Sequence, residues 1–301
     1  MPLGTNHITN TTAAKFIPAI WVDQVRKFME AKLVAAKLCK TITHKGKPGD
    51  TIHIPDLSAL SVNNKLSNTQ VTLQSPTESE FLMSINKHKE VSFLIEDIAK
   101  VQASYDLIKE YTSSAAYAIS KQIDTDILAL ATSLSKVVIG GDGSTPWSPA
   151  ANANTGNGTD LTDAGIRKAI EYLDLNNVPE EDRVLIINPR QKNVLLGINR
   201  FTEQAYYGSG SPISTGEFGE IYGIKVYVTT QTPTVTAANG TTVYDVNILM
   251  HKDAFVYASQ LEPRVQSDYV LEYLGNLVVV DTIYGVATFR DSHAVALVTP
   301  W

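Results

Sequence analysis

Between Thr77 and Ile139 the chain contains neither glycine nor proline, and Val101, Tyr105, Ile108, Tyr111, Ala115, Ile119, Ile123, Ile127 and Leu130 recur there at steps of three and four. Glycine and proline are the strongest local breaks in regular structure, and a three-to-four repeat gathers apolar side chains on one face of a helix. The spacing predicts one helix, capped by Ser104 and running to about Ser133, which at 1.5 Å per residue is roughly 45 Å long. That exceeds the usual globular helix. Lys109, Glu110, Lys121 and Asp124 are expected on its solvated face.

Upstream of this helix the pattern changes from helical to extended. Pro18 suits a first helical position, and Val22, Val25, Met29, Leu33 and Ala36 form an apolar stripe that should end before Thr41-Ile42-Thr43. Gly46-Lys47-Pro48-Gly49-Asp50 marks a turn and leads into the alternating run Thr51-Ile52-His53-Ile54-Pro55. A polar stretch from Asp56 to about Ser79 follows, then a second alternating run through Phe81, Met83 and Ile85 that continues to Val91-Ser92-Phe93. Two strands joined by so long a connection make an extended hairpin, and a loop of more than about 15 residues usually serves function. This one is expected to project from the body toward a partner.

The clearest break lies at 140–160, where Gly140-Gly141-Asp142-Gly143 and Asn154-Thr155-Gly156-Asn157-Gly158 bracket Pro146 and Pro149. Beyond it, Thr162 should cap a helix carrying Ile166, Ile170 and Leu173. A buried strand is expected over Arg183 to Ile187, and Pro189 should open a helix through Val194 and Leu195. A Gly/Ser-rich loop from Tyr207 to Gly219 precedes predicted strands over Ile221–Thr229, Val243–Met250, Phe255–Ser259, Tyr269–Tyr273, Leu277–Ile283 and Val286–Phe289, with turns at Gly275-Asn276 and Tyr284-Gly285. The overall class is α+β, with no internal repeat.

Charge is uneven. Residues 1–50 hold eight basic side chains against three acidic ones, an excess of five, so the remainder carries −11 of the net −6. Such asymmetry suits a face turned to polyanion or to an acidic partner, and equally a solvated helix face. The hydrophobic fraction of 44% is that of a chain able to bury a core, and the lone Cys39 excludes an intramolecular disulfide framework. No apolar run approaches the roughly 18 residues of a spanning helix, and the start Met1-Pro2-Leu3-Gly4 lacks the marks of a secretory signal, so no membrane association is expected.

The residues that carry common chemistries are not arranged for them. Neither G-x-x-x-x-G-K-[ST] nor G-x-G-x-x-G nor G-x-S-x-G occurs, so phosphate cradles and the hydrolase elbow are unsupported. His7, His44, His53, His88, His251 and His293 form no H-x-x-x-H pair. Asp124 and Asp126, two apart on a helix, point in different directions, and Asp142-x-Ser144 lacks the remaining oxygens of a calcium loop. Trp21, Trp147 and Trp301 show no spacing for base stacking. Catalytic, cofactor and metal sites are therefore expected to be absent.

The order of parts resembles the tailed-bacteriophage major capsid proteins of the Hong Kong 97-type fold, particularly podovirus-like coat proteins. Phe16-Ile17-Pro18-Ala19-Ile20-Trp21, a helix, then Gly49-Asp50-Thr51-Ile52-His53-Ile54-Pro55 is similar to that family's N-terminal arm entering its extended loop. Glu96-Asp97-Ile98-Ala99 leading to Gln122-Ile123-Asp124-Thr125-Asp126 resembles its spine helix. The stretch from Val178-Pro179 to Asn188-Pro189 with Leu195-Leu196 resembles the axial domain, and Leu249-Met250-His251-Lys252-Asp253-Ala254 with Tyr284-Gly285 the return to the peripheral domain.

The resemblance implies an N-terminal arm and helix over 1–45, an extended hairpin loop over 46–95, a peripheral domain with the spine helix over 96–145 and 246–301, and an axial α/β domain over 146–245. It implies a subunit that forms hexamers and pentamers of an icosahedral head around double-stranded DNA. The partners are its own copies, a scaffolding protein, a portal and a decoration protein, with assembly in the bacterial host cytoplasm and residence in the virion. Asp56, Lys65 and Asn68 on the hairpin and Tyr207 and Gly210 near the capsomer axis are the expected subunit contacts. Lys27, Lys32 and Lys37 are expected to face the interior. Some relatives crosslink through a lysine on the extended loop, where Lys65 sits, but no partner asparagine or glutamate is identifiable, and a non-crosslinked shell is expected.

Two other readings compete. An encapsulin-type nanocompartment shell would share the fold but enclose cargo enzyme, and no cargo-docking pattern supports it. A small-molecule enzyme built on the α/β segment would show activity as a monomer, and the missing motifs speak against it.

Overall fold

A computed structural model describes residues 34–43, 49–57, 60–75, 78–98, 107–139, 159–198, 219–236 and 241–301. Within them the chain forms a helical turn α1 (Ala35–Leu38), strands β1 (Lys40–Thr43), β2 (Thr51–Leu57), β3 (Glu78–Ser84) and β4 (Lys87–Glu96), the long helix α2 (Leu107–Ala129), and β5 (Val137–Ile139). Then follow α3 (Asp163–Leu175), β6 (Arg183–Ile187), α4 (Pro189–Leu196), β7 (Glu220–Ile221), β8 (Ile224–Val228), β9 (Thr234–Thr236) and β10 (Val243–His251). The last elements are β11 (Phe255–Val270), β12 (Gly275–Thr288), a 3-10 turn over Asp291–His293, and β13 (Ala294–Pro300).

One sheet has the order β5-β13-β10-β6-β8-β7, with β9 also on β10. Successive strand residues point to opposite faces, and the central strands are apolar on both. Val246, Ile248 and Met250 of β10, with Ala294, Ala296 and Val298 of β13 and Val184 and Ile186 of β6, join Ile119, Ile123 and Ile127 of α2 in one core. The alternate residues Leu249, Val295, Leu297, Leu185 and Ile187 join Ile166, Ala169 and Leu173 of α3 and Leu195 of α4 in another. The sheet is thus sandwiched between α2 on one side and α3 and α4 on the other. The sequence expectations for α3 and α4 hold in detail: Thr162 accepts from the Gly165 N–H at 3.2 Å, and Asn188 accepts from Arg190 N–H, with Pro189 at the first helical position.

A second sheet runs β1-β11-β12-β4. Val91, Phe93, Val280 and Tyr284 on its inner face pack on the same α2 core. Helix α2 therefore serves two sheets, which is why its stripe is so long. The four-residue 3-10 turn Leu130–Ser133 ends it where the sequence places the end, while Ser104 lies outside the described residues.

Several expectations are corrected. Phe255–Ser259 and Tyr269–Tyr273 are not two strands; β11 runs unbroken to Val270, with register shifts between Ser259 and Arg264. Tyr284-Gly285 is no turn but lies within β12, and the reversal occurs over residues 271–274, where Leu274 takes φ +44°. Gly285 is small for a different reason: a Cβ there would stand 2.5 Å from the Ser84 carbonyl oxygen. The run from Phe81 to Phe93 splits at Ile85 and Asn86 into β3 and β4, which belong to different sheets. Strands β1, β5, β9 and β13 were not anticipated. The 246–301 segment divides, with β10 and β13 in the first sheet and β11 and β12 in the second.

Asp124 is not on a solvated face. It is buried, and its carboxylate accepts from the backbone N–H groups of Val34, Ala35 and Ala36 at 2.6, 3.1 and 3.0 Å. The first N–H groups of any helix lack internal partners, and here a side chain 90 residues away supplies the acceptor for α1.

Candidate assembly surface

Among the described residues, strands β2 and β3 pair only with each other, from Thr51↔Ser84 to Leu57↔Glu78. The bond from Ile85 N–H to Asp50 O at 2.7 Å sets the phase of this ladder. In an antiparallel pair, bonded positions alternate, so Ile52 and Ile54 face β3 while Pro55 falls on the outer edge. There its missing N–H costs no ladder bond and leaves that edge poorly suited to a further strand. The base of the ribbon is fixed to the body. Met83 is fully buried with Ile85, Val256 and Ala258, and Phe81 meets Phe289 edge-on at 5.3 Å between ring centroids.

The far end of the ribbon is different. Residues 60–75 form neither helix nor strand. Their conformation is held locally: Gln74 accepts from Ser61 N–H at 2.9 Å and donates to Ser61 O, and Thr69 closes a turn on Leu66 O around Asn68, which takes φ +60°. Lys65 Nζ donates to Leu66 O at 2.7 Å. Five large apolar side chains stand in solvent there, Leu60, Val62, Leu66, Val71 and Leu73, with Val62 99% and Leu73 86% exposed. The sequence reading of this stretch as simply polar missed them. The available signal was apolar residues scattered without period among Asn, Ser and Thr.

A second exposed apolar group lies at the turn joining β11 and β12, where Leu271 is exposed and Tyr273 and Leu274 stand beside Ile98. Glu96, Asp97 and Glu272 surround it. Asp97 accepts from the Tyr269 hydroxyl at 2.7 Å and donates its N–H to Leu274 O at 2.9 Å, which fastens the end of β4 to this turn.

Of the expected contact residues, Asp56 lies exposed on β2 opposite Ser79, and Lys65 and Asn68 lie in the exposed loop, so the three share one projecting unit. Tyr207 and Gly210 fall outside the described residues, as do Lys27 and Lys32. Lys37 is exposed in the last turn of α1, beside a cavity of about 300 Å³ lined by Ser120, Ile123, Asp124 and Tyr257. Among the described residues no group of three or more His, Cys, Asp or Glu is placed to hold a metal ion. Burial pushes the Cys39 thiol up to about 11 and the Asp245 carboxyl up to about 6, the latter against the lowering effect of Arg190.

The same architecture recurs in solved structures. A chain from Mycobacterium phage Che8 superposes with a TM-score of 0.76 at 21% identity, covering 94% of this chain and 97% of that one. The capsid structure of cyanophage P-SCSP1u gives 0.76 at 19% identity, covering 99% and 96%. The acidic stable capsid structure of Helicobacter pylori bacteriophage KHP30 gives 0.74 at 13%, covering 99% of each chain. No curated protein matches by sequence. The fold is that of the Hong Kong 97-type shell subunits. A model of the phage capsid protein family matches residues 23–299, and the chain belongs to that family.

Proposed function

We propose that this capsid protein builds an icosahedral head from hexamers and pentamers of itself around double-stranded DNA, and that the loop over 60–75 is laid on a neighbouring copy. The single observation that carries the reading is a ribbon whose base is buried in the body while its tip presents five exposed apolar side chains. Full burial of each is worth about 1.5–3 kcal/mol, whereas association costs roughly 4–15 kcal/mol. One loop contact therefore does little more than offset that cost, and closing a shell needs a second set of contacts. Tyr207 and Gly210 meeting their copies around the capsomer axis are proposed to supply it, with Asp56, Lys65 and Asn68 in the loop contact.

In this reading 1–45 forms an arm, 46–95 the reaching loop, 96–145 with 246–301 the peripheral part and 146–245 the axial part. Lys27, Lys32 and Lys37 face the interior, toward scaffold protein or packaged DNA. A portal and a decoration protein complete the partners, and assembly takes place in the host cytoplasm. The role is structural, with no reaction catalysed and no crosslink formed through Lys65.

The test is to replace Leu60, Val62, Leu66, Val71 and Leu73 by Ser together and to examine the purified chain, with scaffold co-expressed, by negative-stain microscopy and circular dichroism. A subunit with unchanged secondary structure that no longer closes shells is the expected result. Full-size closed particles at the unmodified yield would overturn the proposal.

A further inference from the structure

Helix α3 covers one face of the first sheet with Ile166, Ala169 and Leu173 and leaves two other columns of side chains uncovered by the core. Successive residues of a helix are about 100° apart, so Asp163, Arg167, Ile170 and Asp174 line up in one column and Ala164, Lys168, Glu171 and Leu175 in the next. Arg167, Ile170 and Asp174 wall a cleft of about 540 Å³, which Glu180, Glu181, Arg183 and the β7–β8 turn at Tyr222 and Gly223 complete. Tyr222 takes φ +52°, a conformation that bulky side chains rarely adopt. Its hydroxyl donates to Asp163, whose carboxylate also accepts from Arg167 Nε at 3.0 Å, so the turn and the helix are tied across the end of the cleft.

Arg183 is buried and its guanidinium is fixed: Nε donates to Pro179 O at 2.8 Å, and Nη2 donates to Val178 O at 2.6 Å and to Asp174 at 2.8 Å. Its Nη1 carries further N–H groups that have no partner among the described residues. Among those residues only Ser259 Oγ is fully buried without a partner, so Nη1 reaches solvent, and the open space beside Arg183 is the cleft. Arg167, in the same cleft, engages only its Nε. Glu180 and Glu181 are exposed and bond nothing among the described residues. Two guanidinium groups against the carboxylates of Asp174, Glu180 and Glu181 leave the cleft net negative, which disfavours a polyanion. The arrangement fits a convex surface that presents one carboxylate beside one cation.

The second column of α3 is such a surface. Lys168 Nζ donates to both Glu171 carboxylate oxygens at 3.0 Å, and Leu175, 70% exposed, follows one turn later. A carboxylate has about four lone-pair sites, so Glu171 keeps acceptors for guanidinium N–H groups. We propose that the cleft beside α3 receives the Lys168–Glu171–Leu175 ridge of a second copy of this chain. Glu171 then accepts from the free edges of Arg167 and Arg183, Lys168 meets Glu180 and Glu181, and Leu175 covers Ile170 and the Tyr222 ring. Each copy offers its cleft to one neighbour and its ridge to another, so the contact is head-to-tail and closes in a ring. The inference rests on the reading of the chain as a self-assembling shell subunit and gives that subunit a contact independent of the loop over 60–75.

The test makes Arg167→Glu and Glu171→Arg singly in the full chain, with scaffold co-expressed, and measures assembled protein by sedimentation and negative-stain microscopy. Each variant alone sets like charges against each other in every contact, and its assembled yield is expected to fall at least about tenfold, with an unchanged circular dichroism spectrum. Co-expressed, the two variants alternate round a hexamer so that every cleft again faces the opposite charge. Hexamers and tubes holding both chains in equal amounts should then return to at least about half the unmodified yield. Positions 167 and 171 are one turn apart on the same helix, so repulsion inside each chain persists in the mixture, and rescue reports contact between copies. Single variants that assemble at the unmodified yield, or a mixture that assembles no better than they do, would overturn the inference. An unmodified chain that does not assemble would overturn the shell reading and the inference with it. If either variant fails to fold, unmodified particles built from isotope-labelled and unlabelled copies decide: carbodiimide, which couples a carboxylate to an amine in contact with it, should link Lys168 of one copy to Glu180 or Glu181 of another, and the absence of such links between copies refutes the contact.

Discussion

Asp124 and Asp126 sit two positions apart on α2 and hold different distant elements. Asp124 gathers three backbone N–H groups at α1, while Asp126 accepts from Lys87 at 2.9 Å, the Tyr284 hydroxyl at 2.7 Å and Gln122 at 3.0 Å. Removing the acceptor leaves buried donors unpaired, so Asp124→Ala should cost about 2–4 kcal/mol, read as a lower urea midpoint with unchanged slope. Burial pushes the Asp126 carboxyl up, but Lys87, Tyr284 and Gln122 outweigh it and hold it below the usual carboxylate range. A depressed carboxyl contributes stability above its unfolded pKa that is lost as pH falls through the folded value, so this tie weakens only in strong acid. Asp245 has the opposite sign. With its carboxyl raised to about 6, it opposes folding at neutral pH, and Asp245→Asn should stabilise the chain by about 1–2 kcal/mol at pH 7 and by little near pH 4. Equal effects at both pH values in parallel urea titrations would contradict that assignment.

At the scale of elements, β12 carries the most demanding contact. Because a Cβ at Gly285 would lie 2.5 Å from Ser84 O, Gly285→Ala must push β3 away from β12. The expected result is faster proteolysis in the ribbon, with α3 and α4 still protected from exchange. Local rules read this glycine as a turn, since nothing nearby in sequence reveals that a strand 200 residues earlier presses on it. The helices were legible for the converse reason. The stripe of α2, the Thr162 cap and Asn188-Pro189 are encoded within a few residues. Strand β13, AVALVTP, is buried on both faces and so lacks the alternation that marks a half-buried strand. The candidate assembly surface was half legible. The length of the hairpin showed, but its apolar tip was hidden among polar neighbours, and Asp124 passed for a surface residue because its partners lie at Val34–Ala36.

At the scale of the molecule, the cores on both sides of the first sheet converge on β13, which contributes Ala294, Ala296 and Val298 to one and Val295 and Leu297 to the other. Ending the chain at Arg290 should therefore give insoluble protein, where loss of an edge strand would not; a soluble, helical product would show that the sheet closes without it. The position of that strand has a consequence for how the subunit is made. At about 5–20 residues per second the ribosome needs roughly 10–40 s to pass from residue 75 to Gly285. The apolar loop over 60–75 therefore emerges well before Gly285, Phe289 and β13, which seat its base and close the body. A nascent chain thus carries its exposed apolar loop well before the strands that fix the ribbon's base and close the first sheet have been made.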